Sequence, residues 1–286
     1  MKKIAVIGTG IMGSGIVSNY LKNDYEVIIW NRTPEKTKTL QELGAKLVDT
    51  PRAAAKLSDI IFEVTANDES SQAVWQGPNG ILAGSDNTKT LIASATLSID
   101  WTEQLYGLCK ARELNFFDIP LTGGRIAAES GSLTLLIGGD VTKLDALMPD
   151  LKPISSKQFY FGKNGSGMKY KLILNSLQAA HMAAFGEAML LATKQGLDAN
   201  VVGPALCDRP GGAPTLIGWG AYQADPIPLS FSVDWITKDL NYAHQMDNTN
   251  NYPIFNDTLA VFRKAQTAGF GAQDWGIVTK NNLTDK

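Results

Sequence analysis

A short apolar run passes directly into a glycine-rich turn at Ile4-Ala5-Val6-Ile7-Gly8-Thr9-Gly10-Ile11-Met12-Gly13. The apolar run predicts a buried strand, and the G-x-G-x-x-G spacing predicts a tight turn that opens a helix. Glycines at these positions let the backbone approach a pyrophosphate, and the N-terminus of the helix offers it unpaired N–H groups. The residues expected to bind a dinucleotide here are Gly8, Gly10, Ile11, Met12 and Gly13.

The end of the next strand indicates which dinucleotide is bound. Sites for NAD carry an Asp or Glu there, about 20 residues past the glycines, which accepts a hydrogen bond from the ribose 2′-hydroxyl. This chain has Trp30-Asn31-Arg32-Thr33 instead. The Arg32 guanidinium can form charge-assisted hydrogen bonds with a 2′-phosphate, and Asn31 and Thr33 add further donors. The sequence therefore favours NADP(H) as the cofactor, the alternative being that Arg32 is a solvated loop charge.

Working outward from this turn, apolar runs alternate with helical stretches as far as residue 163. Such alternation predicts a mostly parallel sheet with helices on both faces, which is a Rossmann-type α/β domain. The predicted strands are Ile4–Gly8, Val27–Trp30, Ile60–Thr65, Leu91–Ala93, Phe116–Asp118, Leu133–Ile137 and Phe159–Phe161.

The chain changes character near Gly167. Lys169 to Gln195 contains no proline and many helix formers, so one long helix is predicted, and the later stretches Ser232–Asp247 and Asn256–Ala268 also favour helices. We therefore expect two domains: residues 1–163, which bind NADP, and residues 164–286, an all-α domain for substrate binding and dimerisation that begins with the long interdomain helix.

Composition excludes several classes of function. The chain has 286 residues with Lys+Arg 26 and Asp+Glu 28, so no basic excess favours nucleic acid as a partner. Cys109 and Cys207 form no Cys/His cluster, so neither a disulfide framework nor a metal site is expected. No apolar run approaches the roughly 18 residues of a membrane span or suits a signal peptide. We therefore expect a cytoplasmic protein.

Two further patterns carry chemistry. Thr122-Gly123-Gly124 follows a predicted strand with exposed N–H groups and a hydroxyl, which suits a small anion such as a carboxylate, although such a stretch is often only a turn. On the long helix, Lys171, Asn175 and Gln178 have the i, i+4, i+7 spacing that places them on one face. From spacing alone, this polar stripe is either a solvated edge or a site.

These motifs together resemble the β-hydroxyacid dehydrogenases, a family that includes 3-hydroxyisobutyrate dehydrogenases, tartronate semialdehyde reductases and glyoxylate/succinic semialdehyde reductases. The resemblance covers nearly the whole chain. It depends on the following segments: the N-terminal G-x-G-x-M-G; residues 118–124, with Gly131-Ser132-Leu133-Thr134 and Gly138-Gly139; Gly167-Met168-Lys169-Tyr170-Lys171 with Asn175; and Lys238-Asp239-Leu240.

The resemblance implies a role for each matching residue. Lys171 would be the catalytic lysine and Asn175 its companion on the helix. Thr122, Gly123 and Gly124 would form the loop that holds the substrate carboxylate. The implied cofactor contacts beyond the glycine turn are Thr65, Ala66 and Thr96 on the nicotinamide side and Lys238 from the helical domain.

The first functional hypothesis is an NADP-dependent reductase that transfers a hydride between NADPH and a small aldehyde or keto acid, with Lys171 as general acid and base. The second is an imine reductase acting on a C=N substrate. It arises because Ala93-Ser94-Ala95-Thr96 departs from the D-x-S-T segment of the family, with only the threonine in register. The third is a non-catalytic NADP-binding module. For all three we expect a homodimer or a tetramer.

Overall fold

The computed structural model describes residues 2–208, 213–224, 229, 231–246 and 252–280. The chain divides into two compact units, Met1–Lys171 and Leu172–Lys286. No helix within the described residues is long and apolar enough to cross a membrane.

The first unit is built on a nine-stranded sheet. Its strands are β1 Ile4–Ile7, β2 Val27–Trp30, β3 Lys46–Leu47, β4 Ile60–Glu63, β5 Thr90–Ala93, β6 Asn115–Asp118, β7 Leu121–Thr122, β8 Leu133–Gly139 and β9 Ser155–Gly162. The strand order is β3-β2-β1-β4-β5-β6-β8-β7, and β9 pairs with β8. Pairing is parallel from β3 through to β6 and between β8 and β9, whereas β8 is antiparallel to β6 and β7.

Helices cover both faces of this sheet. They are α1 Ile11–Lys22, α2 Lys38–Glu42, α3 Pro51–Leu57, α4 Asp68–Trp75, α5 Ile81–Gly84, α6 Ile99–Lys110, α7 Gly124–Ser130 and α8 Val141–Leu151, with 3₁₀ turns at Pro34–Thr37 and Lys152–Ile154. Ile4 and Val6 of β1 pack into one core with α1 and α8, while Ala5 and Ile7 pack into the other with α3 and α6. Because alternate residues of a strand point to opposite faces, a strand covered on both faces has a continuous apolar sequence.

The order of the strands determines where a ligand would lie. Strands β2 and β3 lie on one side of β1, and strands β4, β5 and β6 lie on the other. In open parallel sheets, ligands bind outside the carboxyl ends of the strands where the strand order reverses. In this unit that point lies between β1 and β4, directly beside the glycine turn.

The long helix α9, Ser166–Lys194, begins in the first unit and continues into the second. The second unit adds α10 Ala199–Asp208, α11 Ala213–Gln223, α12 Val233–Met246 and α13 Pro253–Ala265, then a π-helical turn Gln266–Phe270 and a 3₁₀ turn Trp275–Thr279. Among its described residues, β pairing is limited to an isolated bridge between Ser232 and Asp274. The predicted fold class, a Rossmann-type unit joined by a long helix to a helical unit, is confirmed.

The core of the second unit lies among α9, α12 and α13. It includes Met182 of α9, Ile236 and Leu240 of α12, and Phe262 of α13, all nearly inaccessible to solvent. Gly186 lets α9 lie close to the 3₁₀ turn Trp275–Thr279. A Cβ on Gly186 would come within 2.7 Å of the Val278 carbonyl oxygen in that turn.

Candidate functional site

The glycine turn after β1 has little room for side chains at two of its glycines. Gly8 has φ +99°, and a Cβ on it would lie 2.5 Å from the Val64 carbonyl oxygen. A Cβ on Gly13 would lie 2.0 Å from the carbonyl oxygen of Gly8. These clashes are with backbone atoms, which cannot move aside cheaply, so the turn requires glycine at both positions.

The same turn has space at Gly10 and a buried polar group at Thr9. A Cβ on Gly10 would meet nothing within 4 Å. The Thr9 hydroxyl is buried and has no hydrogen-bond partner among the described residues, and the same holds for the Ser94 hydroxyl directly after β5. A buried hydroxyl without a partner is costly unless a ligand or water satisfies it. A bound dinucleotide therefore fits the residues at this edge of the sheet.

The segment after β2 is fixed by Asn31. Its Oδ1 accepts a hydrogen bond from the Thr9 N–H at 3.2 Å, and its Nδ2 donates to the Thr33 carbonyl at 2.9 Å. Asn31 thus ties the glycine turn to the segment that carries Arg32. Arg32 itself is exposed, and Thr33 precedes the 3₁₀ turn.

At the end of β4, a buried acid holds one of the predicted cofactor residues. Glu63 is inaccessible to solvent, and its Oε1 accepts from the Thr65 N–H at 3.0 Å and from the Thr65 hydroxyl. Ala66 beside it is exposed, and Thr96, three residues after β5, is half-buried. Sequence reasoning missed Glu63, although an acid that ends an apolar strand is a recognisable signal.

The predicted carboxylate loop follows β6. Thr122 ends β7, where it pairs with Thr134 of β8 and is half-buried. Gly123 has φ +124°, a value that L side chains rarely adopt, and both Gly123 and Gly124 are exposed. The loop therefore presents backbone rather than side chains after Thr122.

Asp118, the last residue of β6, holds the start of α9. It is fully buried, and its Oδ1 accepts from the Gly165 N–H at 2.6 Å while its Oδ2 accepts from the Met168 N–H at 2.8 Å. Burial raises the pKa of the Asp118 carboxyl to about 6, and these backbone N–H groups oppose the rise. One side chain therefore connects the strand that leads into the carboxylate loop with the helix that carries Lys171.

The two lysines at the start of α9 have different surroundings. Lys169 is exposed over 44% of its side chain and forms an ion pair with Glu103 at 3.2 Å. Lys171 is half-buried and is the last residue of the first unit. The two side chains project about 160° apart around the helix, because each residue turns by about 100°.

In the second unit, Asn175 and Lys238 meet on a single carboxylate. Asn175 is 3% exposed, and its Nδ2 donates to Asp239 Oδ2 at 2.6 Å. The Lys238 Nζ lies 2.8 Å from Asp239 Oδ1, and Asp239 is 1% exposed. Asn175 is therefore not part of a solvated edge. Asn175 and Asp239 are 64 positions apart in the sequence, so no local pattern could predict their hydrogen bond. The one local hint is the acid that directly follows Lys238.

The structure thus arranges the predicted residues in two groups. In the first unit, the glycine turn, the Arg32 segment, Thr65, Ala66, Thr96 and the Thr122–Gly124 loop all follow the carboxyl ends of β1, β2, β4, β5 and β6. In the second unit, Asn175 and Lys238 share Asp239. The described residues include no group of His, Cys, Asp and Glu that could hold a metal ion.

Two sequence-family models match the chain in succession. The model described as the NAD binding domain of 6-phosphogluconate dehydrogenase matches residues 3–162. The model described as NAD-binding of NADP-dependent 3-hydroxyisobutyrate dehydrogenase matches residues 165–280. Together they cover almost all of the described chain, and they confirm the resemblance found in the sequence motifs.

Individual relatives and solved structures agree with the family models. Glyoxylate/succinic semialdehyde reductase 2 of Arabidopsis thaliana, a chloroplastic protein, is 29% identical over 278 residues, which are 96% of this chain and 78% of that protein. A 3-hydroxyisobutyrate dehydrogenase of Mycobacterium tuberculosis, solved with L-serine, has a TM-score of 0.83 at 23% identity over 98% of each chain. An imine reductase from Pseudomonas sp. has a TM-score of 0.63 at 23% identity over 97% of this chain and 98% of that one. At such identities the two solved structures establish a common fold.

Proposed function

The chain belongs to the family of NAD(P)-dependent oxidoreductases that includes the 3-hydroxyisobutyrate dehydrogenases, and we propose that it is an NADP-dependent reductase of small aldehydes or keto acids. The cofactor would lie along the carboxyl edge of the sheet. The residues proposed to hold it are Gly8, Gly10, Ile11, Met12, Gly13, Asn31, Arg32, Thr33, Thr65, Ala66, Thr96 and Lys238. When bound, NADPH supplies the hydride for the carbonyl carbon.

Arg32 supports NADP as the preferred cofactor. An exposed guanidinium stands after β2, where NAD sites have an acid. Asn31 already bonds the backbone of Thr9 and Thr33, so its part is to hold the Arg32 segment against the glycine turn. We therefore assign the recognition of the 2′-phosphate mainly to Arg32, with the Thr33 hydroxyl as a second donor.

Lys171 is the proposed general acid. A lysine side chain ordinarily carries a proton at neutral pH. As negative charge develops on the carbonyl oxygen, the Lys171 ammonium stabilises it and then donates a proton to it. In the direction of alcohol oxidation, the neutral amine of Lys171 accepts that proton.

Asn175 and the Thr122–Gly124 loop would place the substrate. Asn175 follows Lys171 by one turn on the same helix, so its amide is suited to orient the lysine or the substrate oxygen. The N–H groups of Gly123 and Gly124 and the Thr122 hydroxyl would bind a substrate carboxylate. Compared with a serine, Thr122 carries an additional methyl group on Cβ. This methyl group narrows the space for the substrate.

The observation that carries this proposal is the position of Lys171 on a helix start that Asp118 fixes to the end of β6. The first unit thereby holds both a proton donor and the loop suited to an anion, each attached to the same strand. This arrangement favours a carbonyl over an imine substrate, because a cation beside an iminium would be repulsive.

The proposal extends to the roles of the two units and to assembly. We assign NADP binding mainly to residues 1–163, whose Thr122–Gly124 loop also contacts the substrate, and the rest of substrate binding together with dimerisation to the all-α residues 164–286. The buried Cys109 and the partly buried Cys207 are free thiols, which suits the reducing cytoplasm.

A turnover assay tests the proposal. The purified protein is mixed with NADPH and, separately, with semialdehydes, keto acids and cyclic imines, and loss of NADPH absorbance is followed. Turnover of a semialdehyde or keto acid is expected. Turnover restricted to cyclic imines would establish the imine reductase instead, and NADPH binding without turnover of any substrate would establish the non-catalytic module.

A further inference from the structure

Asp239 lies in the second unit, on α12, where it accepts a hydrogen bond from Asn175 and forms an ion pair with Lys238, two side chains that the proposed reaction requires. Its carboxylate is 1% exposed. Oδ2 accepts from Asn175 Nδ2 at 2.6 Å, and Oδ1 is 2.8 Å from Lys238 Nζ. Oδ2 thus accepts a hydrogen bond from α9, whereas Oδ1 is held by charge attraction to the neighbouring residue of α12 and accepts no hydrogen bond from the described residues.

The bond to Asn175 fixes which way its amide points. An ionised carboxylate can only accept hydrogen bonds, so the NH₂ group and not the oxygen of Asn175 must face Asp239. This leaves Oδ1 of Asn175 directed elsewhere as an acceptor. Lys171 stands one turn earlier on α9, and its ammonium can only donate. Lys171 and Asn175 are spaced to lie on the same face of α9. The Oδ1 of Asn175 is therefore an acceptor suited to orient the protonated Lys171 side chain.

The second oxygen of Asp239 acts on Lys238. The Lys238 ammonium lies 2.8 Å from it and 5.3 Å from the centre of the Tyr242 ring, and the side chain is 19% exposed. Lysine carries a compact charge on a flexible stem, so the ion pair with a buried carboxylate restrains the position of the Lys238 ammonium. Asp239 thereby holds in place the residue proposed to contact the cofactor from the helical unit.

We propose that Asp239 is a positioning residue that orients Asn175 for the proton transfer by Lys171 and, through its other oxygen, holds Lys238 for the cofactor. This inference rests on the proposed function, since it assigns to Asp239 an effect on both catalysis and NADPH binding. It goes beyond the matching motifs, which point to Lys238 and Asn175 but assign Asp239 no task.

The test compares two substitutions of one kind on α12. Asp239→Asn keeps the shape of the side chain but removes its charge and lets it present either an oxygen or an NH₂ group to Asn175. Asp234→Asn is the matched control, because Asp234 is exposed and accepts from Gln266 at 2.7 Å. Three quantities are measured for each: kcat, the Kd of NADPH by fluorescence titration, and the melting temperature.

We expect Asp239→Asn to lower kcat by about 10- to 100-fold and to weaken NADPH binding by about three- to tenfold, in the range of a hydrogen bond to a charged group. Asp234→Asn should change each by less than about twofold, as is usual for a surface substitution. Equal values of kcat and Kd in the two variants would overturn the proposal.

A reciprocal exchange separates positioning from support of the fold. In the double variant Asn175→Asp with Asp239→Asn, donor and acceptor are swapped, so the hydrogen bond can form again. We expect the melting temperature to return toward that of the wild type while kcat stays low, because a carboxylate then replaces the amide next to Lys171. Full recovery of kcat would show that only the hydrogen bond matters, and it would overturn the assignment. If the wild type reduces no carbonyl, the proposed function fails, while the NADPH affinities of Asp239→Asn and Asp234→Asn still decide whether Asp239 holds Lys238.

Discussion

Arg32 is an exposed cation two residues after β2, at a position where an acid would bind the ribose of NAD. Its surroundings agree with a role in binding. The amide of Asn31 bonds the backbone of Thr9 in the glycine turn and of Thr33 beside Arg32, so the guanidinium extends from a defined segment. The preference for NADPH should therefore depend mainly on this one side chain.

The wild type is expected to bind NADPH at least about tenfold more tightly than NADH, because each charge-assisted bond to the 2′-phosphate contributes on the order of 1.5–3 kcal/mol. Arg32→Ala should remove most of this difference by weakening NADPH binding and leaving NADH binding unchanged. Fluorescence titration with both cofactors measures the two affinities.

Arg112→Ala is the matched control for this change. Arg112 lies before β6, at the amino ends of the strands, where it donates to the Leu82 carbonyl at 3.1 Å. Its removal should leave the ratio of the two affinities as it is in the wild type. Equal affinity of the unmodified protein for NADPH and NADH would refute the role of Arg32.

Sequence patterns locate single functional residues only where a local rule applies. Arg32 could be proposed as a cofactor residue because its distance from the glycine turn is fixed by the strand and helix between them. Glu63, Asp118 and Asp239 could not be assigned roles from the sequence. Their partners include backbone N–H groups, and Asn175 lies 64 positions from Asp239, so no local sequence rule assigns these acids a role.

At the scale of elements, the junction of β6 with α9 depends on Asp118. Its carboxylate accepts two backbone N–H bonds at the start of the helix while being fully buried. Burial raises its pKa to about 6. In an unfolded chain the pKa of an aspartate is about 3.9.

Between pH 4 and pH 6 the folded protein therefore binds more protons at Asp118 than the unfolded chain does. The free energy of unfolding should fall as pH rises through this range, by up to about 3 kcal/mol from this group. Asp118→Asn should lack this part of the slope. Urea denaturation at several values of pH measures it.

Asp140→Asn provides the comparison. Asp140 is an exposed residue at the N-terminus of α8, and the hydrogen bond from the Thr142 side chain lowers its pKa. This variant should keep the fall in stability between pH 4 and pH 6. A slope in Asp118→Asn equal to that of the wild type would show that Asp118 does not titrate in this range.

Most elements could be predicted from the sequence because their apolar patterns are long or continuous. All four residues of β1 are buried, so their run is uniformly apolar, and α9 has an unbroken series of helix formers. β3 and β7 were not predicted. Each has two residues, too few to show a period, and β7 adjoins a glycine turn.

At the scale of the whole molecule, the second unit exposes several large apolar side chains. On α9, Ile173, Leu177 and Leu191 are more than half exposed, as is Val201 on α10. Ile173, Leu177 and Leu191 share one face of α9 by their spacing, and exposed apolar side chains grouped in this way are typical of surfaces that another protein covers. We therefore propose this face of α9 as the surface that the predicted association with a second copy would cover.

Light scattering at micromolar concentration should give a mass of at least twice the 30.8 kDa of the chain. Leu177→Glu should weaken the association, because it places a charge on the exposed apolar face of α9. Leu57→Glu, at an exposed leucine that ends α3 in the first unit, should leave the mass unchanged. A wild type that remains monomeric would contradict the prediction.

The proposed reaction depends above all on Lys171. Lys171→Met should lower kcat by about 10²–10⁴, the usual effect of removing a positioned acid. The Kd of NADPH should stay nearly unchanged, since the lysine is proposed to act on the substrate oxygen. Lys169→Met removes an exposed lysine paired with Glu103 on another side of the same helix, and it should cost far less. Full activity of Lys171→Met on every carbonyl substrate that the wild type reduces would contradict the account.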